Sequence, residues 1–134
     1  MLLVRTIILP SSIHGIGLFA DQFIPAQTVI WHFDPKFDVG YTDQEFQNLS
    51  PAAQLHTRKY SYFSAEMNLW ILCGDDARFM NHSDHPNTFE EPGIRTIALH
   101  DIHPGEELLC DYNQFDARSF SEDDFTPEKS LATT

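Results

Sequence analysis

Apolar residues in this chain arrive in runs of strand length, and a turn signal closes most of them. Residues 2–9 are rich in Leu and β-branched side chains and stop at Pro10-Ser11-Ser12; residues 28–33 stop at Asp34-Pro35; residues 68–72 stop before Gly74-Asp75. Residues 59–63, 94–99 and 108–111 are three more such runs. Short β-branched and aromatic runs bounded by Gly, Pro, Asn and Asp read as strands. Helix signals are confined to one region. Thr42-Asp43-Gln44-Glu45 is a capping box that predicts a short helix to about Leu49, and Ser50-Pro51 starts a further turn with Ser as cap and Pro in the first position. The chain therefore reads as mainly β, several small sheets with a short helical insert.

At 134 residues it is long enough for one domain with a real core. The expected boundaries are 1–115 for the domain and 116–134 for an acidic C-terminal segment in which Phe115, Phe120 and Phe125 recur every five residues. That spacing is read as a segment able to cover something, with a loose end from about Thr126. The first ten residues are too short and interrupted for a secretory signal, and no run approaches the roughly 18 apolar residues of a membrane span. Cys73 and Cys110 are the only cysteines, each in apolar company, so neither a disulfide framework nor a Cys-rich zinc site is expected. A cytoplasmic setting is the expectation, or a nuclear one if the substrate is a histone. Eight Lys and Arg against 20 Asp and Glu leave a net charge of −12. Such a surface repels phosphate backbones, so nucleic acid is not an expected partner, whereas basic proteins or peptides are.

Two polar clusters stand out from this apolar background. One is Arg78-Phe79-Met80-Asn81-His82-Ser83; the other is the acidic pair and Asp-Tyr end of Gly105-Glu106-Glu107-Leu108-Leu109-Cys110-Asp111-Tyr112. A third motif, His14-Gly15-Ile16-Gly17, precedes the apolar run Leu18-Phe19-Ala20. It is not a dinucleotide fingerprint, because no G-x-x-G spacing and no βαβ pattern follow.

Three chemistries compete on residues alone. His82 and Asp84, with His100 or His103 downstream, have the types of a two-His-one-carboxylate iron oxygenase. The short separation leaves room for little more than one hairpin, and no Arg follows closely to hold a co-substrate carboxylate. Hydrolysis by Ser83 or Cys110 lacks a nucleophile elbow, and Cys110 sits within a strand rather than at a helix N-terminus. The third is a site of backbone groups, Asn81 and His82 with a wall of tyrosines (Tyr112, Tyr60 and Tyr62), suited to desolvating and aligning an amine.

The G-x-G, R-F-x-N-H-S and G-E-E-L-x-x-D-Y motifs, in that order, resemble SET-domain protein lysine methyltransferases over nearly the whole of residues 2–115. The resemblance implies a fold of small β-sheets closed by a C-terminal pseudoknot, S-adenosylmethionine as methyl donor and no metal. It implies donor contacts from Ile16, Gly17, Arg78, Asn81, His82, Tyr112 and Phe115, with Tyr112 as the catalytic tyrosine. It implies a substrate channel bordered by Cys110 and by Tyr60 or Tyr62, between which spacing does not choose. Its substrates would be lysines of basic, histone-like or ribosomal proteins. Three departures accompany it. No Cys-rich zinc segment follows Tyr112 or precedes Gly15; Cys110 stands where many members carry Phe or Tyr, which leaves room for more than one methyl; and the domain is nearly bare, so that a second copy could complete the substrate groove. A SET-fold binding module without catalysis is the alternative.

Overall fold

The structure is a computed structural model, and it describes residues 1–91 and 95–114. Among the described residues there are ten short strands, most of them on the apolar runs, with Val39–Tyr41, Asn81–His82 and Thr88–Glu91 outside them. β1 (Thr6–Pro10) and β2 (Ile16–Ala20) form an antiparallel hairpin in which Thr6 faces Ala20 and Pro10 faces Ile16. Pro10 thus ends the strand instead of preceding the break, a position tolerated because an edge strand needs no donor there. Of the N-terminal run, Leu2 lies outside β1 and bridges Trp31 instead. β3 (Val29–His32), β8 (Thr88–Glu91) and β9 (Arg95–Ala98) make a second antiparallel sheet in the order β3-β9-β8. β4 (Val39–Tyr41), β5 (Ser61–Ser64) and β6 (Leu69–Leu72) make a third in the order β4-β6-β5.

The helical insert separates β4 from β5. In α1 (Asp43–Gln47) Thr42 Oγ1 accepts from the Glu45 N–H at 3.1 Å, and Glu45 Oε1 accepts from the Thr42 N–H at 3.0 Å. Both halves of the capping box are present, and these two bonds hold the Glu45 carboxyl below its usual range. In α2 (Pro51–Tyr60) Ser50 caps the Ala53 N–H. This second helix runs ten residues and takes in Lys59 and Tyr60, which the sequence pattern assigns to a strand. The cap and the helix-forming Ala52, Ala53, Gln54 and Leu55 outweigh the alternation that follows.

The last sheet organises the molecule. β7 (Asn81–His82) and β10 (Leu109–Cys110) run parallel, with Asn81 beside Leu109 and His82 beside Cys110. The segment returning as β10 is held on both sides. On one side the Leu108 N–H donates to Leu18 O at 2.8 Å and Phe19 bridges Glu107; on the other the Ser83 N–H donates to Cys110 O at 2.9 Å. The Asn87 side chain clamps it further, donating to Glu107 O at 2.8 Å and accepting from the Leu109 N–H at 2.9 Å. The chain thus passes from β7 through β8 and β9 and returns between β2 and β7. The core lies beneath it: Leu18, Ala20, Ile24, Ile30, Met80, Ala98, Ile102, Leu108 and Cys110 are buried together, with Leu2, Val4 and Tyr112 packed against them.

Candidate active site

The return of β10 beside β7 brings the three motifs together at one end of the core. The β1–β2 turn is shaped by Gly15, whose φ of +47° a side chain would oppose. Ser11 closes this turn: its N–H donates to Gly15 O at 2.8 Å, and its hydroxyl accepts from the Ile13 N–H at 3.0 Å. The Ser11 hydroxyl proton goes to Glu107 Oε1 at 2.8 Å. Gly17 has a different job. A Cβ there would fall 2.8 Å from Glu107 Cδ and closer still to Oε2, so the glycine vacates the space in which the Glu107 carboxylate lies.

Asn81, a buried residue of β7, reaches into the same place. Its Nδ2 donates to Glu107 Oε2 at 2.9 Å and His14 O at 3.0 Å, with Ile16 O at 3.4 Å. Its neighbour His82 accepts at Nδ1 from the Tyr112 N–H at 3.1 Å, and Nε2 stands 3.3 Å from Asp84 Oδ1. An acceptor at Nδ1 places the ring proton on Nε2, where Asp84 receives it. The Tyr112 ring is tilted against His82 at 5.3 Å, and its hydroxyl donates to Met80 O at 2.6 Å. With its proton held by Met80, the phenol oxygen acts toward a ligand as an acceptor.

Arg78 sits in the 3₁₀ turn Asp76–Phe79 that leads into β7. Its Nη2 donates to Cys73 O at 2.9 Å, and its guanidinium lies 6.0 Å from the centre of the Tyr60 ring. Tyr60 also meets Phe79 edge-on at 5.7 Å and His56 at 4.9 Å. Of the two tyrosines left open by spacing, Tyr60 therefore closes α2 against the Arg78 turn, and Tyr62 lies half-buried in β5 opposite Ile71. Ile16 is 51% exposed beside this assembly. Cys110, expected at the channel, lies in the core at 2% exposure, its thiol 3.8 Å from Asn81 O. Burial pushes both thiols, Cys110 and Cys73, well up, which removes the nucleophilic-cysteine reading. Phe115 and the acidic segment 116–134, with Phe120 and Phe125, lie outside the described residues.

For the iron reading the geometry is unfavourable. Both ring nitrogens of His82 are engaged, His100 Nδ1 stands 3.0 Å from Asp101 O, and His103 packs on Phe23 at 5.3 Å. Among the described residues no three His, Cys, Asp or Glu side chains are grouped to hold a metal ion.

Two residues of this site escaped the sequence reading. Glu107 was visible only as half of an acidic pair, and Ser11 only as part of a break. The available signal was a carboxylate interrupting an apolar run in a chain that also offers a side-chain-free position at Gly17. Chemically, the assembly presents an acceptor-rich edge (carbonyls of His14 and Ile16, the Asn81 amide, the Tyr112 oxygen) beside exposed apolar surface at Ile16. That combination fits a ligand with a cationic amine and an apolar or heteroaromatic body.

A family model described as SET domain matches residues 15–113. Among solved structures, the chain is similar to a humanized mutant of the Chaetomium thermophilum Polycomb Repressive Complex 2 bound to the inhibitor GSK126. The TM-score is 0.65 at 20% identity, over 86% of this chain and 16% of that one. It is also similar to a Plasmodium falciparum protein named as a histone methyltransferase, with a TM-score of 0.57 at 21% identity over 81% of this chain and 93% of that one. This chain thus spans a small fraction of the Polycomb chain and nearly all of the Plasmodium one. No curated protein sequence matches it.

Proposed function

The chain belongs to the SET-domain family, and from that premise we propose that it transfers the methyl group of S-adenosylmethionine to the side-chain amine of lysine in a basic protein. The observation that carries this reading is the convergence of Asn81, His82 and Tyr112 through the β7–β10 pair, with the Tyr112 hydroxyl donating to Met80 O. The Plasmodium and Polycomb similarities support the fold on which that convergence rests.

The donor, when bound, supplies an electrophilic methyl on a cationic sulfur. The residues fitted to hold it are Asn81 and the His14–Gly17 strand entry, with His82 steadying the Tyr112 backbone from beneath. The target lysine has a free pKa of about 10.4 and needs to lose its proton to become a nucleophile. Desolvation between Tyr60 or Tyr62 and Tyr112 favours the neutral amine. Tyr112 accepts from the amine N–H and points its lone pair at the donor, so that orientation supplies much of the rate. The phenol is fixed for this work: its proton is bound by Met80 O, its ring rests on the core, and its N–H is bound to His82. The acidic surface draws basic, histone-like or ribosomal substrates toward the site.

Tyr112→Phe removes the oxygen and leaves the ring. Transfer of labelled methyl from S-adenosylmethionine to basic proteins is expected to fall by about 10²-fold, the scale of a lost alignment, while donor affinity changes little. Undiminished transfer excludes Tyr112 from the role. Donor binding with no transfer by the wild-type protein under any basic substrate selects the non-catalytic module instead.

A further inference from the structure

The side chain of Asn81 is oriented by its surroundings to an unusual degree. Three oxygens face its Nδ2: Glu107 Oε2 at 2.9 Å, His14 O at 3.0 Å and Ile16 O at 3.4 Å. All three are acceptors. Turning the amide over would set Oδ1 against them, oxygen to oxygen, and one of them belongs to a carboxylate. The amide is planar, so committing Nδ2 to this cluster commits Oδ1 to the opposite side. Among the described residues no donor reaches Oδ1. It is a buried residue's acceptor, aimed away from the cluster that binds its partner nitrogen.

Glu107 supplies the charged member of that cluster, and it is itself held. Ser11 Oγ donates to Oε1 at 2.8 Å and stands 3.0 Å from Oε2, and Gly17 leaves the gap into which the carboxylate fits. Ser11 and Glu107 are 96 positions apart in the chain, and Asn81 and Glu107 are 26 apart. The contact forms only once β10 has returned beside β7, so the orientation of Asn81 is tied to completion of the fold.

We propose that Glu107 is a positioning residue: it fixes the Asn81 carboxamide so that Oδ1 is held as the acceptor for the ammonium group of the methyl donor. This rests on the methyl-transfer reading for the identity of the ligand, and on the three-acceptor cluster for the orientation. A charged acceptor makes a stronger hydrogen bond than a neutral one, so the carboxylate, more than the two carbonyls, sets the preference. In Glu107→Gln the new amide can turn its NH₂ toward Asn81, and the two orientations come closer in energy.

The test pairs two ligands with the Glu107→Gln protein. One is S-adenosylhomocysteine; the other is the same compound with its α-amino group replaced by hydrogen. The variant is expected to bind the first on the order of tenfold more weakly than wild type, the worth of one weakened charged hydrogen bond. It is expected to bind the second almost as well as wild type does, because that ligand has no ammonium for Oδ1 to accept. A general loosening of the site would weaken both ligands equally, and that result overturns the proposal. Ser11→Ala removes the bond to Glu107 together with the Ile13 and His14 N–H bonds of the turn, and takes no group directly from Asn81. It is expected to show a smaller loss with the same dependence on the amino group, and it keeps the test open if Glu107→Gln does not fold. The orientation itself has a ligand-free readout. The Asn81 side-chain NH₂ resonance is expected to exchange slowly with solvent in the wild type and faster in Glu107→Gln; equal exchange contradicts the role of Glu107. Wild-type protein that binds neither ligand overturns the methyl-transfer reading, and with it the assignment of an ammonium to Oδ1.

Discussion

Glu90 points from β8 into the protein interior, where its Oε1 accepts from the Thr96 hydroxyl at 2.6 Å. Desolvation raises its pKa to about 7, against the smaller lowering effect of that hydrogen bond. In the unfolded chain the group ionises near 4.5. Between these values the folded state binds more proton than the unfolded state, so stability is fully present below about 4.5 and falls as pH rises toward about 7. The loss is of order 3 kcal/mol for a shift of this size. Glu90→Gln is expected to abolish that slope, and chemical denaturation at pH 5 and pH 8 measures it. A wild-type protein equally stable at both, with the variant unchanged, contradicts the burial of a titrating Glu90. The consequence reaches the site, because the Glu90 N–H donates to Gln114 in the turn that begins at Tyr112.

At the scale of elements, the threaded return of β10 and the helical insert contribute in different ways. Leu108 is fully buried just before β10, in contact with the core and bonded to Leu18. Leu108→Ala is expected to cost about 2–5 kcal/mol, a transfer loss plus a cavity. Thr42→Ala removes one exposed cap from α1 and is expected to cost only about 1 kcal/mol. Thermal melting of the two variants compares them directly, and equal losses would mean that the threaded segment is not the stabilising element. The same contrast explains what the sequence made legible. The capping box at Thr42 and the Ser50-Pro51 start are local, satisfied by residues three positions away, and both formed as read. β8 passed unread because Thr88-Phe89-Glu90-Glu91 carries two carboxylates, and nothing local discloses that Glu90 is buried with Thr96 across the sheet. The strand assigned to residues 59–63 loses its first two positions to α2, whose cap lies ten residues upstream.

For the whole molecule, the three motifs were legible as a set and their convergence was not. Arg78 to Ser83 and Gly105 to Tyr112 could be singled out as polar clusters in apolar company, and the resemblance they carry supplied the fold that joins them. The hub that fastens them, Glu107 with Ser11 and Gly17, depends on contacts across most of the chain and on a space that exists only in three dimensions. Cys110 shows the complementary limit: a motif position read as channel-facing is, in this fold, a core side chain. The small core and the parallel β7–β10 pair thus do two things at once. They close the domain, and they set the Asn81 side chain and the Tyr112 oxygen at one end of it, within a chain whose net charge is −12. The most direct measurement of this account is mass spectrometry of basic proteins incubated with the purified chain and S-adenosylmethionine. The account predicts the added mass of methyl groups on lysine side chains, dependent on the donor and lost in Tyr112→Phe. Modification absent from every lysine while the donor is bound, or persisting undiminished in Tyr112→Phe, would contradict it.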